Sequence, residues 1–169
     1  MNFSVKNIDF EFTAHNQSWA EQDLGHDLLT VFTPMLKAWG QICCNQWSNF
    51  NHYHYQISLH YCHGQQIRTL NNKYRNKNKM TDVLSFPVHE NPRENWDFEQ
   101  REVLLGDLFI ARSILCAQAK QYGQSPLQEF YRLCTHGFVH LLGFDHEISR
   151  KEEKIMQQFE QKILEKLSS

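Results

Sequence analysis

Three histidines near the C-terminal end constrain the local fold more than any other feature of the sequence. They are His136, His140 and His146, in a segment that begins at Thr135 and reads T-H-G-F-V-H-L-L-G-F-D-H-E. Residues four apart lie one turn apart on the same helix face, about 6 Å along the axis. Gly143 can adopt the left-handed conformation that ends a helix and turns the chain back. The spacing therefore predicts a helix, a glycine turn and three converging imidazoles.

Three imidazoles are a suitable ligand set for one zinc ion per chain. Zinc takes nitrogen ligands at about 2.0–2.1 Å, and a site with three protein ligands leaves a fourth position for water, as in catalytic zinc. A ligand set rich in histidine and poor in oxygen favours zinc, although nickel, cobalt or copper can bind such sites in vitro. The other seven of the ten histidines are interpreted as structural or exposed. Four of these lie at the ends of a predicted strand, without a cysteine or carboxylate to complete a second site: His52, His54, His60 and His63.

The same histidine spacing occurs in the metzincin proteases. Those enzymes use a glutamate directly after the first histidine as general base, and this chain has Gly137 there. Without that carboxylate, peptide hydrolysis loses a contribution of about 10²–10⁴-fold. Glu147 follows the third histidine, where nothing places it beside the water. Proteolysis is therefore an alternative and not the leading interpretation.

Apolar periodicity predicts four strands and several helices. Alternation predicts strands at residues 3–12 and 53–61, and apolar runs predict two more at 81–88 and 104–110, the last two as an antiparallel pair. Helical spacing predicts a helix over 22–44, interrupted before Pro34, a short one through Ile67 and Tyr74, and one over 111–122 that ends at Gly123. Capping patterns begin two more at Ser125 and Ser149. The helix from Ser125 carries the histidines, so it is predicted to be central.

Composition favours a cytoplasmic protein of one domain. The chain has 169 residues, 41% of them hydrophobic, which is enough to bury a core. No apolar run approaches the ~18 residues of a membrane span, so no membrane partner is expected. Five cysteines without a C-x-x-C pair suit reduced thiols in the cytosol. The net charge of −2 means that a nucleic acid would have to bind a local basic patch, and the basic strip Arg68–Lys79 contains no acidic residue.

The histidine segment resembles the signature of the YbeY endoribonucleases, the bacterial rRNA maturation factors. Asn78 and Met80 depart from that family, which usually carries aspartate and proline there. Three further blocks resemble the family in the same order: L-N-x-x-Y-R at Leu70–Arg75, T-D-V-L-S-F-P at Thr81–Pro87 and L-G-D at Leu105–Asp107.

This resemblance implies an α+β fold with a small mixed sheet, here four-stranded, flanked by helices, and one zinc-binding endoribonuclease domain over residues 1–169. It implies a zinc-dependent, single-strand-specific endoribonuclease in ribosomal RNA maturation and ribosome quality control. The expected partners are single-stranded RNA, ribosomal RNA in particular, and the ribosome or proteins associated with it. Two alternatives remain open: an RNA- or ribosome-binding assembly factor whose zinc is structural, and a zinc hydrolase of peptide or small-molecule amides.

The resemblance also assigns site residues. Arg75 matches the arginine of the family and could brace a phosphate bidentately or stabilise transition-state charge. Arg75 and His136 are therefore predicted to be catalytic, and His136, His140 and His146 to bind the metal. Tyr74 is interpreted as a half-buried core aromatic more readily than as a base-stacking residue. Asp145 could hold a ligand imidazole or cap the turn. Ser85 is assigned to sheet architecture, and the role of Asp107 is left open.

Overall fold

The computed structural model describes residues 2–5, 8–14, 17–94 and 98–168, with side chains from residue 18 onwards. Five strands in this part of the chain form one sheet, in the order β1-β2-β3-β5-β4. The two inner pairings, β2 with β3 and β3 with β5, are parallel, whereas the outer pairings are antiparallel. The strands are β1 (Asn2–Val5), β2 (Ile8–Ala14), β3 (His54–Cys62), β4 (Val83–Pro87) and β5 (Glu102–Ala111).

The mixed sheet agrees with the predicted fold class, and the antiparallel pairing of β4 with β5 is confirmed. The predicted number of four strands is wrong. Residues 3–12 were predicted as one strand, but they belong to β1 and β2, which pair antiparallel with Phe3 opposite Phe10. Two consecutive strands carry the same two-residue period, so alternation does not show where one ends and the next begins.

Helices flank this sheet. The described helices are α1 (Gln17–Leu24), α2 (Leu28–Gln46), α3 (Gly64–Arg75), α4 (Arg112–Tyr122), α5 (Pro126–Leu141) and α6 (Arg150–Ser168), and single 3₁₀ turns occur at Phe50–His52 and Pro92–Glu94. None of these helices is long and apolar enough to cross a membrane.

The predicted helix over 22–44 is in fact two helices, α1 and α2. Gly25 ends the first with a φ of +72°, and Asp27 begins the second by accepting a hydrogen bond from the Thr30 N–H at 3.0 Å. Pro34 lies inside α2 without ending it. The boundary between α1 and α2 is therefore set by a helix-ending glycine and a capping aspartate. The apolar spacing continues across this boundary, so a prediction from apolar spacing alone does not detect it.

Helix α5 lies at the centre of the molecule, against β4 and β5 on one side and α4 and α6 on others. Its inner face is buried: the Phe138 ring stacks on Trp39 of α2 with centroids 4.1 Å apart, and the Trp39 indole N–H donates to the Thr135 hydroxyl at 3.3 Å. This packing fixes α5 against α2. The histidines on its remaining face consequently have a rigid base.

Candidate metal centre and the clefts beside it

The ends of α5 are built as the sequence predicts. Ser125 and Gln128 form a complete capping box at its start. At its end the Gly143 N–H donates to the His140 carbonyl at 2.9 Å, and Gly143 has a φ of +88°. A Cβ atom at Gly143 would lie 2.7 Å from Asn91 Oδ1, so both conformation and space require glycine here. The turn brings His146 back to the helix.

His136, His140 and His146 converge as predicted. One ring nitrogen from each lies within 4.8 Å of the other two, and in the described part of the chain no other trio of potential ligand residues does this. The ring centroids of His136 and His140 are 4.7 Å apart. Nitrogens that share one zinc ion at about 2.0–2.1 Å lie at most about 4.2 Å apart. Small side-chain rotations therefore suffice to form a three-nitrogen metal site.

Two of the three imidazoles are held by hydrogen bonds from their Nδ1 atoms. His136 Nδ1 lies 2.8 Å from Glu160 Oε1 on α6, and His140 Nδ1 lies 2.8 Å from the carbonyl oxygen of Phe144. Both partners are acceptors, so they assign the proton to Nδ1 and leave the Nε2 lone pair available. This is the arrangement by which proteins orient metal-binding histidines.

The environment of His140 favours the neutral ring that a metal needs. Burial lowers the pKa of His140 to about 4, and the neighbouring His136 and His146 act in the same direction. His140 is therefore uncharged at neutral pH. A divalent metal would not have to displace a proton from it.

Clefts of about 410 Å³ and 260 Å³ open beside the histidines. Arg75 lines both, and its Nη2 donates to the Ser85 carbonyl at 3.3 Å, which holds the end of α3 against β4. Lys77 also lines both clefts and lies 3.7 Å from the Glu147 carboxylate. The site thus offers a metal-binding trio beside Arg75 and Lys77, in clefts that acidic side chains such as Glu147 also line.

Only part of the predicted basic strip faces this site. Lys79 lines the smaller cleft, whereas Arg68 Nε donates to Asn78 Oδ1 at 2.9 Å and so braces the loop instead. Asn78, one of the two departures from the family pattern, therefore has a local structural partner. Met80, the other, places its Sδ 2.8 Å from where a Cβ of Gly64 would stand.

Gly137 faces the sheet and not the metal ligands' side. A Cβ atom there would lie 2.8 Å from Leu108 Cδ2 and 3.2 Å from Ser85 Oγ. The glycine lets α5 approach β4 and β5 closely, and a glutamate side chain has no room at this position. The absence of the protease general base thus has a packing reason.

Four other residues were assigned roles or left open in the sequence analysis, and the structure shows the contacts of each. Asp145 Oδ1 accepts from the Glu147 N–H at 2.8 Å, as a turn-capping residue does. Ser85 is buried in the sheet, and Asp107 bonds His60 Nε2 at 3.1 Å across two strands. The interpretation of Tyr74 as a half-buried core residue is wrong, since 57% of it is exposed.

Sequence reasoning missed Glu160, the hydrogen-bond partner of His136. Glu160 lies 24 residues further along the chain, in a helix whose apolar period is visible but whose docking position is not. The local sequence carries no signal for this contact beyond the presence of an acidic residue near the buried Phe159.

Comparison with known proteins supplies an independent line of evidence. A sequence model of the family described as Endoribonuclease YbeY matches residues 27–168. The protein named Endoribonuclease YbeY from Thermodesulfovibrio yellowstonii is 44% identical over 112 residues, 66% of this chain and 66% of that protein. The protein of the same name from Aquifex aeolicus is 42% identical over 113 residues, 67% of this chain and 71% of that protein.

A solved structure is similar in fold. The solution structure of a Thermotoga maritima protein superposes with a TM-score of 0.57 over 94% of this chain and 88% of that one, at 19% sequence identity. At this level of identity the similarity concerns the fold alone.

Proposed function

The chain belongs to the endoribonuclease YbeY family, and we propose on this basis that it cleaves single-stranded RNA in ribosomal RNA maturation with one zinc ion held by His136, His140 and His146. Family membership makes the chain an endoribonuclease, so RNA is its substrate. The proposal adds the metal, the strand preference and the residues. It also includes the cytoplasm as location, a single catalytic domain over residues 1–169, and the ribosome or its associated proteins as partners.

One observation carries the metal assignment: three histidine nitrogens converge within 4.8 Å while two of the rings are oriented through Nδ1. The donor set suits zinc because it consists of imidazoles without oxygen ligands. With three protein ligands, a bound zinc ion would keep a position for water and supply a Lewis acid at the scissile phosphate.

The chain's own residues would bind and orient the RNA at this point. Arg75 lines both clefts, and its hydrogen bond to the Ser85 carbonyl uses one side of the guanidinium fork. Its other N–H groups would donate to a phosphate oxygen of bound RNA and offset developing negative charge. His136 is assigned a catalytic role as the ligand whose proton on Nδ1 is held by Glu160.

Cleavage of a defined single-stranded RNA by scrupulously nuclease-free protein tests this proposal. We expect His136→Ala to lose bound zinc and RNA cleavage together, whereas His26→Ala, at an exposed histidine outside the site, retains both. His146→Ala serves as a second variant because His146 is exposed and its loss disturbs the core least. Equal degradation by the wild type and both site variants would overturn the enzymatic assignment of this site.

The rival role of an assembly factor gives a different pattern. A protein whose zinc is structural would lose folded structure along with metal in His136→Ala, and circular dichroism would show it. A folded His136→Ala variant that binds ribosomes but leaves RNA intact supports the catalytic proposal.

A further inference from the structure

Strand β4 separates two surfaces at the edge of the sheet. It is the last strand in the sheet order, and its side chains alternate between the two faces. Ser85 points towards α5, with Oγ 3.2 Å from the Cβ position of Gly137. Phe86 lies on the opposite face, where its ring contacts Tyr74 at 5.3 Å and Phe109 at 5.6 Å between centroids.

The last turn of α3 spans the same edge. Arg75 reaches the metal side and donates to the Ser85 carbonyl, while Tyr74 lies over Phe86 on the outer side. Neighbouring Cα atoms are about 3.8 Å apart, and successive helical side chains point about 100° apart. One pair of adjacent residues therefore contacts both sides of β4.

Tyr74 is exposed, its ring is oriented by Phe86, and the flexible side chain of Lys73 places its cation over one face of the ring. It is 57% exposed, the Phe86 ring meets it at 69°, and Lys73 Nζ lies 4.9 Å from its centroid. Phe86 restrains the ring without covering it. An exposed aromatic held in this way next to lysine and arginine side chains matches what single-stranded nucleic acid binds, namely a stacking surface beside positive charge.

We infer that Tyr74 stacks on a base of the RNA strand whose phosphate lies at Arg75. This inference rests on the proposed function and extends its substrate site round the edge of β4. A strand held at Arg75 that passes over β4 brings the neighbouring base to the outer face, within reach of the next side chain in the helix. Since every base has a π face, this contact selects unpaired bases and tolerates any sequence. It thereby favours single strands over duplexes, whose bases are stacked on each other.

Binding of two fluorescent oligomers of equal length to the full chain tests this inference. One is oligoadenylate and the other carries the same ribose-phosphate backbone without bases, and rapid mixing with the zinc-loaded chain measures binding before cleavage. We expect Tyr74→Leu to bind oligoadenylate about tenfold more weakly than the wild type, as loss of one stacked base predicts, and to bind the abasic oligomer equally well. Tyr74→Phe keeps the ring and should bind like the wild type.

Tyr122 provides a matched control, because it is 56% exposed, ends helix α4 and lines neither cleft. Tyr122→Leu should bind both oligomers like the wild type. The inference is overturned if Tyr74→Leu and Tyr122→Leu bind oligoadenylate equally, or if Tyr74→Leu weakens the abasic oligomer by the same factor. A wild-type chain that binds neither oligomer overturns the proposed function itself, which distinguishes the two failures.

Discussion

The Nδ1 atom of His136 is held by a carboxylate from a different helix, and this contact sets the orientation of the first metal ligand. Glu160 Oε1 lies 2.8 Å from it, and the carboxylate is mostly buried, with 20% of its side chain exposed. A carboxylate that accepts from a ligand imidazole fixes the tautomer and the orientation of the ring. Glu160 is therefore part of the metal centre through His136.

Replacing Glu160 should weaken zinc binding without removing a ligand. We expect Glu160→Ala to bind zinc about 10–100-fold more weakly, as measured by competition with a chromogenic chelator. Glu160→Gln keeps an acceptor oxygen, so its zinc affinity should lie between those of the wild type and Glu160→Ala. Glu153 and Glu160 both line a small cavity on the α6 side of the histidines. Glu153 does not contact His136, so Glu153→Ala should bind zinc normally. Equal affinities for Glu160→Ala and Glu153→Ala would contradict this role.

Arg75 should matter through its geometry as well as its charge. Arg75→Ala is expected to lower kcat/KM for RNA cleavage by about 10²–10³-fold, the usual effect of removing one donor to transition-state charge. Arg75→Lys keeps the charge but loses the planar fork, so it should recover little of that activity. Arg101 is exposed and lines neither cleft, which makes Arg101→Ala the control. Full activity in Arg75→Lys would show that charge alone suffices.

Among the helices and strands, the two ends of α5 could be predicted from the sequence, but the elements that pack against α5 could not. The capping box at Ser125 and the helix-ending Gly143 are short-range patterns, and the structure confirms both. The break between α1 and α2 was equally local, at Gly25 and Asp27, but the continuous apolar period obscured it. The fifth strand was missed because periodicity carries no information on where β1 gives way to β2.

Gly137 controls how closely α5 packs on the sheet. Gly137→Ala should lower the free energy of unfolding by about 1–3 kcal/mol, the usual cost of overpacking, because the new methyl meets Leu108 at 2.8 Å. It should also reduce zinc affinity, since the helix that carries two ligands must shift. Denaturant unfolding and chelator competition measure these two effects.

Gly25→Ala is the matched control for this change, because it adds the same atom where nothing lies within 4 Å. Its φ of +72° costs about 1–2 kcal/mol for a non-glycine residue, so stability should fall while zinc affinity stays unchanged. A Gly137→Ala variant as stable as the wild type and with normal zinc affinity would refute the close-packing role.

At the scale of the whole molecule, contacts between distant segments complete the site that the histidine motif begins. The sequence identified the three ligands because their spacing lies within eleven residues. Glu160 and the exposure of Tyr74 depend on how α6 and α3 dock, and apolar periodicity shows which face of a helix is buried but not against what. Arg75 was identified from the family resemblance. Residue spacing alone could not show that Arg75 lies beside the histidines, because that depends on how α3 docks.

Asp23 of α1 ties the N-terminal part of the described chain to its body. It accepts bidentate hydrogen bonds from Arg112 of α4 and one from the Tyr61 hydroxyl of β3 at 2.8 Å. Burial raises the pKa of the Asp23 carboxyl, but the hydrogen bonds from Arg112 and Tyr61 outweigh it and leave the pKa below its usual 3.8. The folded state therefore favours the ionised carboxylate.

The stabilisation by Asp23 should consequently depend on pH. It is fully present above the unfolded-state pKa of 3.8 and is lost as pH falls through the lower folded-state pKa. We expect Asp23→Asn to lower the free energy of unfolding by about 1–3 kcal/mol at pH 7, and the difference from the wild type to shrink below pH 3.8. Glu99→Gln, at an exposed carboxylate, should show no such difference. A penalty in Asp23→Asn that is constant down to pH 2 would contradict the ionised pairing.

We propose that the histidine trio holds the metal on which RNA cleavage depends. The most direct measurement titrates zinc into chelator-treated protein and follows cleavage of a defined single-stranded RNA at each addition. We expect no cleavage without metal, a rise that ends at one zinc ion per chain, and no recovery in His146→Ala at that ratio. Cleavage that survives metal removal, or that returns equally in His146→Ala, would contradict it.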